Sequence, residues 1–391
     1  MARVLLGVTG GIAAYKACEL ARLLVRAGHE VTPILTPEAE TFVSAKTFEA
    51  LARREARREP FPHLVEADLL TIAPLSANTL AKLAHGLADN VLTQTALAFD
   101  GPVVAAPAMN PRMWRSAAVQ ANVELVQARG VELVGPEEGD TAEGEVGVGR
   151  MSEPEEIFER VAAAFERREQ LRGRRVLVTA GGTREPLDAV RFLGNRSSGR
   201  MGSALAAEAR RRGAQVTLVA SNLSVPAPVG VDVVEAPTAE DVARETLARG
   251  DADVVVMAAA VADYRPVHPE EGKRPKDDEP WTVTLEPTRD VLRELGAQRT
   301  NGQVLIGFAA DRGERGLERA REKLANKRAD LIVFNDVGGD DIGFDARDNE
   351  VVLVSAHGER RIEKAAKERI ASAILDEVTA RLEESDGRSG R

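Results

Sequence analysis

The sequence is poor in the residues that build disulfides and metal centres. Its 391 residues include one cysteine, so neither a disulfide within the chain nor a cysteine zinc site is expected. The five histidines are scattered and lack the short spacing of a metal cluster. Cys18 stands in a helix-favouring stretch, which favours a packed thiol over a nucleophile. We therefore expect a protein without a zinc site that is located in a reducing compartment, the cytoplasm.

Two further absences restrict the partners of the chain. No apolar run approaches the length needed to cross a bilayer, so no membrane span is predicted. Positive charge is not in excess, because the net charge is −10 at pH 7. This balance argues against nucleic acid and anionic membranes as partners. An anionic small molecule would have to be met by local cations.

Short β-branched runs alternate with alanine-rich helical stretches in both halves of the chain. The predicted strands are residues 4–8, 31–35, 69–73, 103–106, 176–179, 216–219, 254–257 and 331–334. Continuously apolar strands are typical of parallel sheets covered by helices on both faces. We therefore predict two doubly wound, three-layer α/β domains, with ligand sites at the carboxyl ends of the strands. A charged segment before residue 174 places the domains at 1–172 and 173–391.

Polar or glycine-rich turns follow several strands of the first half. The first is a glycine-rich turn at residues 7–11, which leads into a helix and offers backbone N–H groups and a helix dipole to a phosphate. Its spacing fits neither the dinucleotide fingerprint nor the P-loop. Later turns lie at residues 73–80 and at 107–114, which reads Pro-Ala-Met-Asn-Pro-Arg-Met-Trp. Turns at one sheet edge indicate a single site.

The second half contains an anion-binding opening and separated cations. Residues 191–202 read Arg-Phe-Leu-Gly-Asn-Arg-Ser-Ser-Gly-Arg-Met-Gly and precede a helix predicted at 203–212. Hydroxyl, amide and guanidinium donors at a helix start suit an anion. Lys323 and Lys327 share one helix face, which suits a triphosphate but is also typical of a solvated helix. The Pro- and Lys-rich residues 263–281 form either a lid or a flexible loop.

These strings resemble two known families. The 107–114 string, with the preceding turns, resembles the flavin-containing cysteine decarboxylases, and Asn-x-Ser-Ser-Gly-Arg-Met-Gly at 195–202 resembles phosphopantothenate–cysteine ligase. Together they cover nearly the whole chain in the order of the fused bacterial coenzyme A biosynthesis proteins. The resemblance implies a flavodoxin-like FMN domain followed by a Rossmann-like ligase domain. It also implies trimeric packing of the flavin halves, dimeric packing of the ligase halves, and the substrates 4′-phosphopantothenate, cysteine and CTP.

The resemblance also implies roles for particular residues. For FMN they are Gly10, Gly11, Ile12, Thr36, Ser76, Ala77, Asn78 and Met109, and for decarboxylation His63, Asn110 and Glu143. For CTP they are Met257, Ala258, Ala259, Asp263, Lys273, Arg289, Asp290, Val291, Leu292, Phe308, Lys323 and Lys327. Asn110 is expected to hold the substrate carboxylate, and Arg191 and Asn195 to orient the pantothenate end. Asp263 is expected to contact either Mg²⁺ or the ribose of CTP, and Lys273 and Asn195 are the expected catalytic residues of the ligase.

One position departs from the family pattern. Residues 141–151 read Thr-Ala-Glu-Gly-Glu-Val-Gly-Val-Gly-Arg-Met, so Glu143 stands where those decarboxylases carry a proton-donating cysteine. A carboxylic acid in a desolvated flap can donate a proton, but Glu143 is equally compatible with a solvated loop. Two alternatives stay open. One is a ligase whose first domain binds flavin without decarboxylating, and the other is an NAD(P)-linked oxidoreductase, which the absent dinucleotide fingerprint disfavours.

The departure gives a first prediction, for Glu143→Gln. If Glu143 is the final proton donor, the amide cannot supply that proton and an oxidised or enethiol product is expected to accumulate. Mass spectrometry of the reaction products measures this. A saturated product formed at the wild-type rate would assign the proton to another group.

Overall fold

The computed structural model describes residues 1–57, 67–140, 144–276, 278–336 and 348–389. The chain divides into two compact units, Met1–Arg168 and Glu169–Arg391. None of the helices in the described ranges is long and apolar enough to cross a membrane.

The first unit is built on a five-stranded sheet. The sheet consists of β1 (Arg3–Val8), β2 (Glu30–Leu35), β3 (Leu69–Leu75), β4 (Val103–Pro107) and β5 (Val131–Leu133). A separate hairpin is formed by β6 (Glu137–Asp140) and β7 (Val146–Arg150). The helices of this unit are α1 (Ala14–Arg26), α2 (Ala45–Ala52), α3 (Ala77–His85), α4 (Val91–Ala98), α5 (Pro111–Trp114), α6 (Ala117–Ala128) and α7 (Pro154–Glu169). The order β2-β1-β3-β4-β5, with all pairs parallel, is that of flavodoxin-like folds.

Apolar residues alternate between the two faces of this sheet. Leu6 packs in one core with Leu20 of α1 and Val161 of α7. Leu5, its neighbour in β1, packs in a second core with Leu80 of α3. Because successive strand side chains point to opposite faces, a continuously apolar strand serves both cores. The predicted three-layer, flavodoxin-like fold is confirmed.

The second unit has a larger sheet and two small hairpins. Its strands are β8 (Arg175–Gly181), β9 (Arg184–Pro186), β10 (Phe192–Gly194), β11 (Gln215–Ser221), β12 (Asp232–Glu235), β13 (Val254–Met257), β14 (Tyr264–Pro266), β15 (Leu285–Pro287), β16 (Val304–Asp311), β17 (Leu331–Asp336), β18 (Asp348–Ser355) and β19 (Gly358–Ala366). Its helices are α8 (Arg200–Arg211), α9 (Ala239–Leu247), α10 (Val291–Gln298), α11 (Gly313–Lys327) and α12 (Lys367–Ser389). The sheet order is β12-β11-β8-β13-β16-β17-β18-β19.

The first six strands of this order are parallel and follow the Rossmann arrangement, so the Rossmann-like prediction is confirmed. The last two strands differ from the sequence prediction because they pair antiparallel. The connection from β18 to β19 is too short for the crossover that parallel strands require. Helix α8 begins at Arg200, earlier than predicted, because Gly199 takes a left-handed conformation (φ 78°) and ends the preceding loop there.

A buried arginine joins separate parts of the second unit. Arg212 is only 1% exposed and follows α8. Its guanidinium forms ion pairs with Glu208 (2.9 Å) and with Asp376 of α12 (2.8 Å). It also donates to the Gln170 side chain (3.0 Å) and to the Ser372 carbonyl (2.9 Å). One side chain thus bonds α8, α12 and the segment before β8.

Arg212→Ala is expected to lower the free energy of unfolding of the second unit by about 3–5 kcal/mol, because Glu208 would remain buried without its cation. Urea unfolding followed by hydrogen exchange of β8 measures the change. The matched control is Arg175→Ala, which removes an exposed ion pair with Asp251 and is expected to cost less than about 1 kcal/mol. Equal losses in the two variants would contradict the role of Arg212.

Candidate active sites

Hydrogen bonds connect the loops at the carboxyl edge of the first sheet. The Thr36 N–H, after β2, donates to the Val8 carbonyl at the end of β1 (3.0 Å). The buried Thr9 hydroxyl donates to the Pro74 carbonyl (2.8 Å) and accepts from the Ser76 N–H (2.9 Å). The loops after β2, β1 and β3 are therefore bonded to one another.

The 107–114 segment joins the same edge. The Ala108 N–H donates to the Leu75 carbonyl, and the Met109 N–H to the Gly149 carbonyl (both 3.0 Å). A Cβ at Gly149 would lie 2.2 Å from the Met109 carbonyl oxygen, so only glycine permits this approach of the β6–β7 hairpin. Asn110 caps α5 by accepting the Arg112 N–H at Oδ1 (2.8 Å), which orients its amide.

The structure thus brings the expected FMN residues to a single sheet edge. These residues are Gly10, Gly11, Ile12, Thr36, Ser76, Ala77, Asn78 and Met109. A Cβ built at Gly11 meets nothing within 4 Å, which leaves room beside the turn. Helix α1 begins directly after this turn, and its first N–H groups, those of Ala14, Tyr15 and Lys16, donate to carbonyls of residues 11–13. The N–H groups of the turn itself and the helix dipole are therefore the features that suit a phosphate. The donors present fit a flavin mononucleotide.

Two expected decarboxylase residues, His63 and Glu143, lie outside the described residues. Glu145, close to Glu143 in sequence, forms an ion pair with Arg112 (2.9 Å). This pair ties the strand that follows Glu143 to α5, the helix that Asn110 caps.

In the second unit a cavity of about 860 Å³ opens at the carboxyl ends of β13, β16 and β17 and is also lined by residues 195–202. The sheet order reverses between β8 and β13, and ligands of open α/β sheets bind at such reversal points. Expected nucleotide residues that line the cavity are Met257, Ala258, Ala259, Asp263, Arg289, Asp290, Val291, Leu292, Phe308, Lys323 and Lys327. Asn195 lines it as well.

Two buried threonines brace the loops beside this cavity. The Thr179 hydroxyl accepts the Ala259 N–H (3.0 Å), and the Thr183 hydroxyl accepts the Ala262 N–H (2.9 Å). Both threonines are fully buried. The loop after β13 is therefore held open by the strand and loop of β8, and its small side chains leave a flat wall.

The 195–202 segment forms the opposite wall. The Asn195 amide donates to the Val261 carbonyl (3.0 Å). A Cβ at Gly202 would lie 2.5 Å from the Ala180 Cβ, so glycine lets α8 approach β8 closely. The start of α8 consequently lines the cavity, where its N–H groups and dipole favour an anion.

Two lysines of α11 form the cationic wall. Lys323 donates to the Phe308 carbonyl (2.7 Å), and Lys327 forms an ion pair with Asp290. Burial and the nearby charge of Lys327 lower the pKa of Lys323, against the opposing charges of Asp290 and Asp263. Burial opposes ionisation of Asp290, yet the bonds from Lys327 and the Arg293 N–H hold its pKa below the usual range. The wall therefore combines fixed charges of both signs.

Two expected ligase residues do not line this cavity. Arg191 is paired with Asp188 (2.7 Å) on the turn between β9 and β10. Lys273 is exposed on the loop between β14 and β15. The Glu270 N–H donates to the Leu187 carbonyl (3.0 Å), which holds that loop against the turn. Lys273 thus lies apart from the expected nucleotide residues that line the cavity, and its role stays a prediction.

The sequence interpretation also missed three buried polar residues that line the cavity. Lys367 begins α12 and is 4% exposed, and Asn335 and Asn349 lie in β17 and β18. Asn335 directly follows the predicted strand 331–334, a position from which it was recognisable. Lys367 offered no comparable signal, because a lysine at a helix start is usually solvated.

The carboxylates of the cavity fit a metal that arrives with a substrate. Among the described residues, no group of three or more His, Cys, Asp or Glu side chains is arranged to hold a metal ion. Mg²⁺ commonly takes one or two protein carboxylates and completes its shell with substrate phosphates and water. Asp263, which lines the cavity, can serve as such a single ligand.

A flavodoxin-type sheet and a Rossmann-type sheet, each with a ligand edge, define a two-part α/β protein. Comparisons with known proteins agree with this division. The family described as Flavoprotein matches residues 1–166, and the family described as DNA/pantothenate metabolism flavoprotein C-terminal domain matches residues 171–382.

Relatives are similar over nearly their full length. The coenzyme A biosynthesis bifunctional protein CoaBC of Mycolicibacterium smegmatis is 41% identical, with 98% of this chain and 99% of the relative covered. That of Bacillus subtilis is also 41% identical, with 99% and 98% covered. A crystal structure of the C-terminal domain of a CoaBC is 35% identical over 55% of this chain and 99% of that one, with a TM-score of 0.48. The chain belongs to the family of bifunctional coenzyme A biosynthesis proteins.

The lowered pKa of Lys323 gives a pH prediction. Its ammonium loses its proton at a lower pH than a solvated lysine, and the neutral amine attracts a triphosphate less. We expect the KM for CTP to rise as the pH enters the alkaline range, and Lys323→Arg, whose guanidinium stays charged, to remove that rise. Steady-state kinetics across this range measure it. An equal rise in the wild type and in Lys323→Arg would assign the titration to another group.

Proposed function

We propose that this chain carries out two successive steps of coenzyme A biosynthesis. It joins 4′-phosphopantothenate to cysteine with CTP, and it decarboxylates the resulting 4′-phosphopantothenoylcysteine to 4′-phosphopantetheine with FMN. The family supports both activities, decarboxylase and ligase. The observation that carries the ligase step is the cavity at the strand reversal, where expected nucleotide residues from separate elements meet.

The ligase step starts from the carboxylate of 4′-phosphopantothenate. This carboxylate attacks the α-phosphorus of CTP, so that pyrophosphate leaves and an acyl-cytidylate forms; the cysteine amine then displaces CMP. Ala258 and Ala259 leave a wall for the flat base, and Lys323 and Lys327 face the phosphates. The start of α8, Asn195 and Arg191 are proposed to hold the phosphorylated acid. Lys273 is proposed to stabilise the phosphoryl group during transfer. These fixed donors stabilise the developing charge without reorganising.

Mg²⁺ is part of the proposal through Asp263. Its carboxylate would hold a magnesium ion that the triphosphate also binds, and such an ion supplies neutralisation of phosphate charge. Lys323 and Lys327 alone leave part of the triphosphate charge unmatched. Asp290, being paired with Lys327, orients that lysine rather than binding metal.

The decarboxylase step is assigned to residues 1–172 and the ligase step to 173–391. FMN, when bound, supplies the electron acceptor that a saturated thiol acid needs before its carboxylate can leave. The turn at Gly10 and Gly11 and the start of α1 would hold the FMN phosphate. Asn110 would hold the substrate carboxylate through its amide, which adds no charge. The bond from the Arg112 N–H fixes the orientation of that amide.

The proposal includes homo-oligomers, with trimeric packing of the flavin domains and dimeric packing of the ligase domains, and a cytoplasmic location where these metabolites occur. Exposed apolar side chains support subunit packing of the first unit. Ile12 is 58% exposed and Val146 71%, and both belong to the segments that form the flavin edge. Packing against another subunit would remove both apolar side chains from water.

The test uses the full-length protein with 4′-phosphopantothenate, cysteine, CTP and Mg²⁺, and the products are weighed over time. We expect 4′-phosphopantetheine from the wild type. Asn110→Asp retains the α5 cap, because aspartate caps as well as asparagine, but sets a second negative charge against the substrate carboxylate. Its carbon dioxide release is expected to fall at least about 100-fold, while 4′-phosphopantothenoylcysteine accumulates.

The contrary outcomes separate the alternatives. Wild-type carbon dioxide release by Asn110→Asp would contradict the role of Asn110. Accumulation of 4′-phosphopantothenoylcysteine by the wild type would favour a flavin-binding first domain without decarboxylation. Absence of any CTP-dependent condensation would contradict the ligase assignment. The NAD(P)-linked alternative predicts nicotinamide turnover, which the family of this chain does not support.

A further inference from the structure

One buried carboxylate organises the turn between β9 and β10. The side chain of Asp188 is fully buried. Its Oδ1 accepts the N–H groups of Val190 (2.7 Å) and Arg191 (2.6 Å). Its Oδ2 accepts the Arg191 guanidinium (2.7 Å) and the Arg274 N–H (3.3 Å). Oδ1 thus accepts backbone N–H groups within the turn, whereas Oδ2 binds the Arg191 guanidinium and the loop between β14 and β15.

Two guanidinium groups of this cluster share an aromatic ring. The Arg191 guanidinium carbon lies 5.4 Å from the centroid of the Trp281 ring, and that of Arg274 lies 5.2 Å from it. Arg191 also donates to the Arg274 carbonyl (3.3 Å). Cation–π attraction and these bonds together hold the β14–β15 loop on the turn.

Lys273 stands between two anchored residues of that loop. The Ala189 N–H of the turn donates to the Gly272 carbonyl (3.5 Å), and Arg274 is bonded to Asp188 as described. The backbone on both sides of Lys273 is therefore fixed to the turn. Asp188 and its turn therefore fix the position of the Lys273 backbone.

We propose that Asp188 is a positioning residue of the ligase, which holds the Arg191 guanidinium and the Lys273 loop on one carboxylate. Arg191, expected at the pantothenate end, and Lys273, expected at the phosphoryl group, are then held in a fixed position relative to each other. This inference rests on the proposed function, because Arg191 and Lys273 take their roles from it. Asp188 itself touches neither substrate in this arrangement.

The chemistry of the cluster favours a permanent anion. Burial opposes ionisation of Asp188, yet the N–H groups of Val190, Arg191 and Arg274 and the charge of Arg191 hold its pKa below the usual range. The carboxylate consequently stays charged at neutral pH. The cluster is a fixed connection whose strength is independent of pH in that range.

The isosteric variant Asp188→Asn separates folding from positioning. An asparagine can keep Oδ1 for the two N–H groups of the turn. At the other position it puts an NH₂ group against a guanidinium and an N–H, which are donors as well. The turn is retained, whereas the connection to Arg191 and to the loop is lost.

The experiment is a double-mutant cycle on CTP-dependent pyrophosphate release by the full chain. Asp188→Asn is expected to lower kcat about 10- to 100-fold, as a small misplacement of reacting groups does, and to raise the KM for 4′-phosphopantothenate. The KM for CTP is expected to change less than about twofold, because the cavity residues are untouched. Combined with Lys273→Ala, it should add little to the loss in Lys273→Ala alone, since coupled residues are not additive.

Three controls accompany the cycle. Asp251→Asn removes an exposed ion pair with Arg175 and should leave kcat and both KM values near wild type. Urea unfolding checks that the second unit of each variant is folded, and decarboxylation of supplied 4′-phosphopantothenoylcysteine checks the first unit. Trp281→Phe, which keeps an aromatic face, should retain most of the kcat that Trp281→Leu loses.

The outcomes are distinct. The positioning role would be overturned if the fold-losses in kcat of the two single variants multiplied in the double variant. Wild-type kinetics in a folded Asp188→Asn would overturn it as well. A uniform loss of soluble protein across Asp188→Asn and Trp281→Phe would show a purely structural cluster and overturn it as well. Wild-type pyrophosphate release by Lys273→Ala would instead contradict the role that the proposed function gives Lys273, and the cycle repeated with Arg191→Ala would then decide on Asp188.

Discussion

Parallel strands bring their carboxyl ends to one edge, and the loops there need hydrogen-bond partners that the sheet no longer supplies. Buried threonine hydroxyls meet this need in both units. Thr9 joins the loops after β1 and β3, and Thr179 and Thr183 hold the loop after β13. A hydroxyl both donates and accepts, so one small side chain can complete a backbone pattern without adding charge. The shape of each candidate site is therefore set by the sheet before any ligand arrives.

Charge has the complementary role in the second unit. The chain is acidic overall, with a net charge of −10, yet Lys323 and Lys327 meet at one cavity wall. A local group of cations on an acidic protein makes the field specific to that cavity and leaves the remaining surface unattractive to polyanions. Asp290 forms an ion pair with Lys327 and so fixes that lysine at the wall. The negative charge of the same carboxylate also weakens the attraction of the wall for anions that make no other contacts in the cavity.

Much of this arrangement was predictable from the sequence, because apolar strands and the turns after them are local patterns. Asn195 and Lys323 were recognisable from their motif and spacing. Other features depend on partners distant in the chain. Asp188 reads as an ordinary turn residue until Arg274 and Trp281 are seen beside it. The antiparallel β19 is largely polar, which is a weaker strand pattern than a continuously apolar run. His63 and Glu143 stay predictions from the sequence.

The Arg212 network has a consequence for the order of events on the ribosome. Its ligands include residues of α12, the last helix of the chain. Before that helix leaves the exit tunnel, Arg212 and Glu208 lack their completing partners, and part of the second core is exposed to water. The first unit ends at Arg168 and needs none of these residues. Nascent chains can therefore carry a folded first unit while the second unit still lacks α12.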